Sequence, residues 1–168
     1  MRLSRVLLVL LLAAFGLRFG LQYADLPPVV ASHFGVDGRP NGFMSKQVFL
    51  LFGLLPVGIA ALIGFVVPRA TRALPVRLIN LPNREYWLAP ERRDAALEYL
   101  GTFLEWVSAG MVVFFLFVYE LVFRANAEHS GLANGPFMAG FATFMVLMVV
   151  SLIALYRRFA MPKAAGPG

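Results

Sequence analysis

The sequence predicts an all-α integral membrane protein, four transmembrane helices in an antiparallel bundle with a small extracytoplasmic β-hairpin between helices 1 and 2. Three observations predict it. Of 168 residues, 60% are hydrophobic and 14% charged, more apolar surface than one soluble core of this length can hide. Four apolar runs each reach the about 17–25 residues that a helix needs to cross the hydrocarbon core. Basic residues gather in alternate connecting segments, as expected of a chain that crosses a bilayer several times. The lipid bilayer is therefore its first partner, and the whole chain, 1–168, reads as one membrane domain.

The first helix spans about residues 6–22. Arg2 and Arg5 precede its apolar run, which is also the pattern of a secretory signal peptide. No clear small-residue cleavage pattern precedes Asp25, so the retained helix is expected. Leu26-Pro27-Pro28 stops it, because proline lacks a donor and disfavours helix in the residue before it. Residues 23–46 form the first loop. In it, residues 29–34 read as an extended run and Asp37-Gly38 suits a tight hairpin turn. Arg39-Pro40-Asn41-Gly42 suits a second, type I turn, and residues 43–45 return beside the first run. The second helix covers about 47–67, with Pro56 as a candidate kink.

The loop 68–89 begins with alternating basic and apolar residues over 69–77, fit to lie on anionic headgroups. Tyr86 and Trp87 follow between turn residues, an aromatic pair suited to the interface. Pro90-Glu91 is a helix start, with proline at the first position and an acid at the positive end. The third helix is expected over 90–124, apolar from 99 to 123, so that it projects below the membrane. A short loop with Glu128 and His129 leads to the fourth helix, about 136–157, closed by Arg157-Arg158. The tail 161–168, rich in Pro, Ala and Gly, is expected to be mobile.

The net charge of +6 comes from thirteen arginines and two lysines against nine acids. Arg2, Arg5, the arginines of 69–93, Arg157, Arg158 and Lys163 share one side if all four runs cross. Only Arg39, Lys46 and the borderline Arg124 fall opposite. The positive-inside bias then places both termini in the cytoplasm, with a bacterial cytoplasmic membrane as the expected home. Sorting by membrane side, rather than along one helix face, argues against nucleic acid as a partner. The absence of cysteine removes disulfides, thiolate metal sites and cysteine catalysis.

Leu26-Pro27, His33-Phe34, Gly38-Arg39-Pro40-Asn41-Gly42 and Ser45-Lys46 resemble the pattern of the membrane family of the domain of unknown function 1648. There a helix ends at Leu-Pro, a His-Phe pair follows, and a Gly-x-Pro-(Asp or Asn)-Gly turn leads to a lysine that opens the next helix. Residues 81–91 are also similar to a segment of that family. The resemblance covers about the first third of the chain. The same domain occurs in SdpI-type bacterial immunity proteins, so the resemblance implies a sensor, immunity or accessory role, with a membrane-active peptide or another membrane protein as partner. On that basis His33, Phe34, Gly38, Pro40, Gly42 and Lys46, with Tyr86 and Trp87, are the candidate partner-binding residues.

Charged residues inside the apolar runs are costly, so Arg18, Glu105 and Glu120 each require an explanation. Arg18 and Glu120 fall at similar depth near the extracytoplasmic ends of their helices, and either pair or reach the headgroups separately. Glu105 follows Glu98 by seven residues on nearly one helix face, with Asp94 a turn back. That stripe is either a solvated helix end facing Arg92 and Arg93, the preferred reading, or a proton or cation entry path, the basis of an alternative transporter or channel function. His33 and His129 with nearby acids could bind zinc in principle, but come from two loops without tight spacing, so no metal is expected. Residues 35–46 do not make a phosphate loop, because the lysine neither follows a glycine nor precedes Ser or Thr. No nucleophile elbow or paired-histidine motif occurs, and neither enzymatic activity nor a cofactor is expected. Ser108, Ala109 and Gly110 would permit close helix contact, within the chain or in a homo-oligomer.

Overall fold

The computed structural model describes residues 2–161; most of the tail expected to be mobile, 162–168, lies outside the described residues. Helix α1 runs Leu3–Ala24, strands β1 and β2 cover Val29–Phe34 and Pro40–Ser45, and α2 runs Lys46–Ala61. A π-helical turn at Leu62–Val66 leads into α3, Val67–Ala73. After a 3₁₀ turn at Val76–Leu78 come a short α4, Arg84–Trp87, then α5, Pro90–Ala127, and α6, Asn134–Arg158. Four helical stretches, Leu3–Ala24, Lys46–Ala73, Pro90–Ala127 and Asn134–Arg158, are long and apolar enough to cross a membrane. The chain is a multi-pass membrane protein. The hairpin lies at one end of the spans, and residue 2 and the 74–89 connection lie at the other, here called the basic end.

The expected four long apolar helices and the two-stranded hairpin are present, with three of the spans around the main core and the fourth packed outside it. α1, the α2–α3 span and α5 surround a buried cluster that includes Leu8, Phe15, Phe19, Phe49 and Val112. The Phe19 ring is its centre, with Phe15, Tyr119 and Phe123 at centroid distances of 5.5, 5.3 and 5.4 Å. α6 instead packs along α5, with Phe144 stacked on Phe114 at 4.4 Å, and none of its residues is buried. Its sequence is apolar on every face, so no stripe marks an inward side. Lipid solvates such a helix as well as protein does.

The irregularity of the second span lies at Leu62–Val66, not at Pro56, which sits inside regular helix. There Gly64 meets Leu8 and Ser108 so closely that an added Cβ would stand 2.5 Å from Leu8 Cδ2. Pro68 does not end the span, because the π turn at Leu62–Val66 carries the helix without a break into α3 and on to Ala73. The loop expected over 68–89 is therefore helical to Ala73.

A second apolar cluster closes the basic end: Ile79, Leu81, Leu88, Ala96, Leu97 and Phe159 are all buried. The 74–89 segment thus folds onto α5 and the end of α6 instead of lying only along a membrane surface. Pro90 starts α5 as its composition requires.

Candidate functional site

The hairpin closes with one turn, not two. Gly35 donates to Arg39 O at 2.8 Å, Gly38 donates to Gly35 O at 2.9 Å, and Arg39 N–H donates to Asp37 Oδ1 at 3.0 Å. Gly38 takes φ +80°, the left-handed conformation that glycine adopts without a Cβ penalty. Pro40-Asn41-Gly42, expected as a second turn, is instead the start of β2, with Phe34 opposite Pro40 and His33 opposite Gly42. Proline is tolerated at the first position of an edge strand.

Two strands alone are marginal in water, so this pair needs anchors. Asn126, buried at the end of α5, accepts from Ala31 N–H at 2.8 Å and donates to Ala31 O at 3.0 Å and Val122 O at 2.9 Å. Its amide acts as a one-residue substitute for a neighbouring strand. At the tip, Leu132 N–H donates to Gly38 O at 2.8 Å and Asn134 Nδ2 donates to Val36 O at 2.5 Å. At the base, Lys46 Nζ donates to Ala24 O and Leu26 O, both at 3.0 Å, which satisfies carbonyls at the end of α1. Val30 and Phe34 face the main core.

With one face tied down, the other is presented. Val29 and Phe43 are exposed on it, and Val36 stands free at the tip. A cleft of about 430 Å³ opens between this face and the α5–α6 connection, lined by Val29, Arg39, Phe43, Asn126 and His129 among others. His129 has φ +51°, and Ser130 N–H donates to Ala125 O at 2.9 Å, the arrangement that ends a helix through a left-handed residue. The cleft therefore combines apolar side chains with an arginine and a histidine on a fixed frame.

The candidate partner-binding residues divide by position. His33 is exposed, with its ring over Gly42 and Nδ1 3.3 Å from Ser32 Oγ. Pro40 lines the cleft, while Phe34, Gly38, Gly42 and Lys46 are engaged within the fold. Trp87 is turned inward: Nε1 donates to Phe159 O at 2.9 Å, beside Asn83 Nδ2 at the same distance, and the ring meets Phe159 edge-on. Tyr86 stacks under the Arg92 guanidinium at 4.1 Å. Among the described residues no three His, Asp or Glu side chains converge as a metal site.

The intramembrane charges form two clusters, one near each end. Arg18 Nη2 lies 3.0 Å from Glu120 Oε2, which Gln22 also reaches at 2.9 Å, and Arg124 Nε donates to Glu120 Oε1 at 2.9 Å. Glu105 is fully buried, and does not face Arg92 and Arg93 as expected. Ser4 Oγ donates to its Oε2 at 2.5 Å, and Arg5 donates to its Oε1 through Nε at 3.0 Å and Nη2 at 2.7 Å. Arg2 bridges outward from it to Glu98 at 3.2 Å. Arg92 donates to Tyr86 O, and Arg93 to Arg72 O and Leu74 O. The acids were read along α5 alone, whereas their partners come from the start of α1, about a hundred residues away in sequence.

Asn126 is the functional-frame residue that sequence reasoning missed. The available signal is a polar amide at the end of an apolar run. Val29, Phe43 and His129 become a site only when the hairpin is laid over the end of α5.

Residues 7–59 match the family model described as Domain of unknown function (DUF1648). The match takes in most of α1, the hairpin and most of α2, so the α5 residues that anchor the hairpin lie outside it. No curated protein and no solved structure matches the chain.

Proposed function

We propose that this chain with a DUF1648 segment is a non-enzymatic sensor, immunity or accessory protein whose hairpin recognises a partner outside the cell. In this reading it sits in a bacterial inner membrane with both termini cytoplasmic, since the basic end carries most of the arginines. The observation that carries the reading is the presented strand face: Asn126, Leu132 and Lys46 hold the hairpin, leaving Val29, Phe43 and the 430 Å³ cleft open. A fixed frame lowers the ordering cost of binding. Exposed apolar side chains beside Arg39 and His129 suit a membrane-active peptide or a segment of another membrane protein.

The test is deletion of the gene in its host, with rescue by wild type, His33→Ala or Phe43→Ser, scored against membrane-active peptides. Rescue by wild type, with a Phe43→Ser protein that reaches the membrane and fails, is the expected result. Equal rescue by all three removes the recognition role. A transporter role centred on Glu105 is the competing reading. The engagement of both its oxygens by Ser4 and Arg5 favours a helix tie instead. No peptide phenotype combined with an ion or proton response lost in Glu105→Gln would reverse that preference.

A further inference from the structure

β2 is the open edge of the hairpin, and its register assigns the groups it leaves free. Lys46 N–H donates to Pro28 O at 2.9 Å, so residues 28 and 46 form a hydrogen-bonded pair. Antiparallel pairs alternate, so Val30–Met44 is bonded as well, whereas Val29–Ser45 and Ala31–Phe43 are not. The Ala31 N–H and C=O accordingly point away from β2, where Asn126 takes both. Phe43 N–H and C=O point away from β1 in the same way, and among the described residues neither has a partner. The charged side chains that usually guard such an edge are turned aside. Lys46 reaches Ala24 O and Leu26 O, and Arg39 lies 3.6 Å from Asp37.

We propose that β2 pairs antiparallel with β2 of a second copy of this chain, the two Phe43 residues exchanging N–H to C=O hydrogen bonds across a two-fold axis. A residue that presents a donor and an acceptor on one edge is its own complement under such an axis, the partial charges of each N–H meeting the C=O of the other copy. The placement of the hairpin supplies the geometry. Its base is held by carbonyls at the end of α1, Ala31 by the end of α5, and its tip by Leu132 and Asn134 where α6 begins. The strands thus lie across the helix ends, along the membrane plane. Two copies inserted the same way are related by an axis along the membrane normal, which makes strands in that plane antiparallel. Strands standing along the normal would come out parallel instead. Ser108 and Ala109, the small residues of α5 that would permit a homo-oligomer, are buried within the chain, so a second copy needs another surface. The Phe43 side chain stays on the presented face, so the pairing stands whether or not that face binds a partner.

The chain has no cysteine, so single introduced cysteines give the test. In a bonded antiparallel pair the facing Cα atoms stand about 5.5 Å apart, within the about 4.4–6.8 Å that a disulfide spans. Phe43→Cys in native membrane vesicles is expected to cross-link to a dimer under mild oxidation. Val29→Cys is not, because it lies one strand farther from the seam on each copy, more than about 14 Å from its counterpart at about 4.8 Å per strand. Amide exchange of the wild-type chain in lipid bilayers needs no variant. Raising the protein-to-lipid ratio is expected to slow Phe43 N–H by about tenfold, the factor for a pair about nine-tenths populated, and to leave Ala31 N–H, held by Asn126, unchanged. Phe43→Lys sets two ammonium groups opposite each other and is expected to abolish that slowing at position 43 while Ala31 stays protected. No cross-link from a membrane-inserted Phe43→Cys protein, equal cross-linking from Val29→Cys, or Phe43 exchange that does not depend on protein density would overturn the proposal.

Discussion

Replacing Glu105 by Ala removes the acceptor of two charge-assisted hydrogen bonds from Arg5 and one hydrogen bond from Ser4, all at a site with no exposure. Two magnitudes compete. Interhelical hydrogen bonds in membranes average about 0.6 kcal/mol, so three neutral ones would total about 2 kcal/mol. Breaking a buried ion pair in a soluble protein costs about 3–5 kcal/mol, because the stranded charge stays buried. The Arg5 side chain is 31% exposed and near the basic end, so it can turn to the headgroups and recover part of that cost. The expected loss is about 2–3 kcal/mol for Glu105→Ala, and less for Glu105→Gln, which keeps the volume and can still accept from Arg5. Reversible unfolding in mixed micelles measures it, with Arg5→Gln and the double variant completing a cycle. A loss within about 0.5 kcal/mol, or a cycle with no coupling, would refute the view that this cluster ties α1 to α5.

At the other end, Arg18→Gln and Glu120→Gln should each cost at most about 1 kcal/mol, since the Arg18 side chain is 54% exposed and water or headgroups replace the lost contact. A coupling well above that in the same unfolding assay would show that lipid excludes water there. Asn126→Ala leaves Ala31 N–H and C=O unpaired at the hairpin edge, so amide exchange at Ala31 should quicken by about tenfold or more, for a cost of about 1–3 kcal/mol. Unchanged exchange would show that the tip and base contacts suffice. Gly38→Ala forces φ +80° on a side chain and sets a Cβ 2.6 Å from Leu132 O; it should cost about 1–3 kcal/mol and free the hairpin tip, seen as faster exchange at Leu132.

Elements with a local cause were legible. The proline stop after α1, the start of α5 at Pro90 and the strand at Val29–Phe34 follow from propensities of a few adjacent residues. The second half of the hairpin was misread because Arg39-Pro40-Asn41-Gly42 has turn composition, whereas pairing with His33 and Phe34 extends it. Trp87 looked like an interface anchor until Phe159, far along the chain, took its N–H.

Apolar length, a local sum over residues, determined by itself which four stretches are helices long and apolar enough to cross a bilayer. The resemblance in residues 26–46 is likewise a matter of order along the chain, and the family match covers it. Only the tertiary structure decided which charges meet, because Arg5 and Glu105 or Arg18 and Glu120 are about a hundred residues apart and any of several arginines could have served. It also decided that α6 stands outside the core. In lipid no hydrophobic force draws one apolar helix face to another, so close packing of particular side chains, such as Phe114 on Phe144, sets the arrangement.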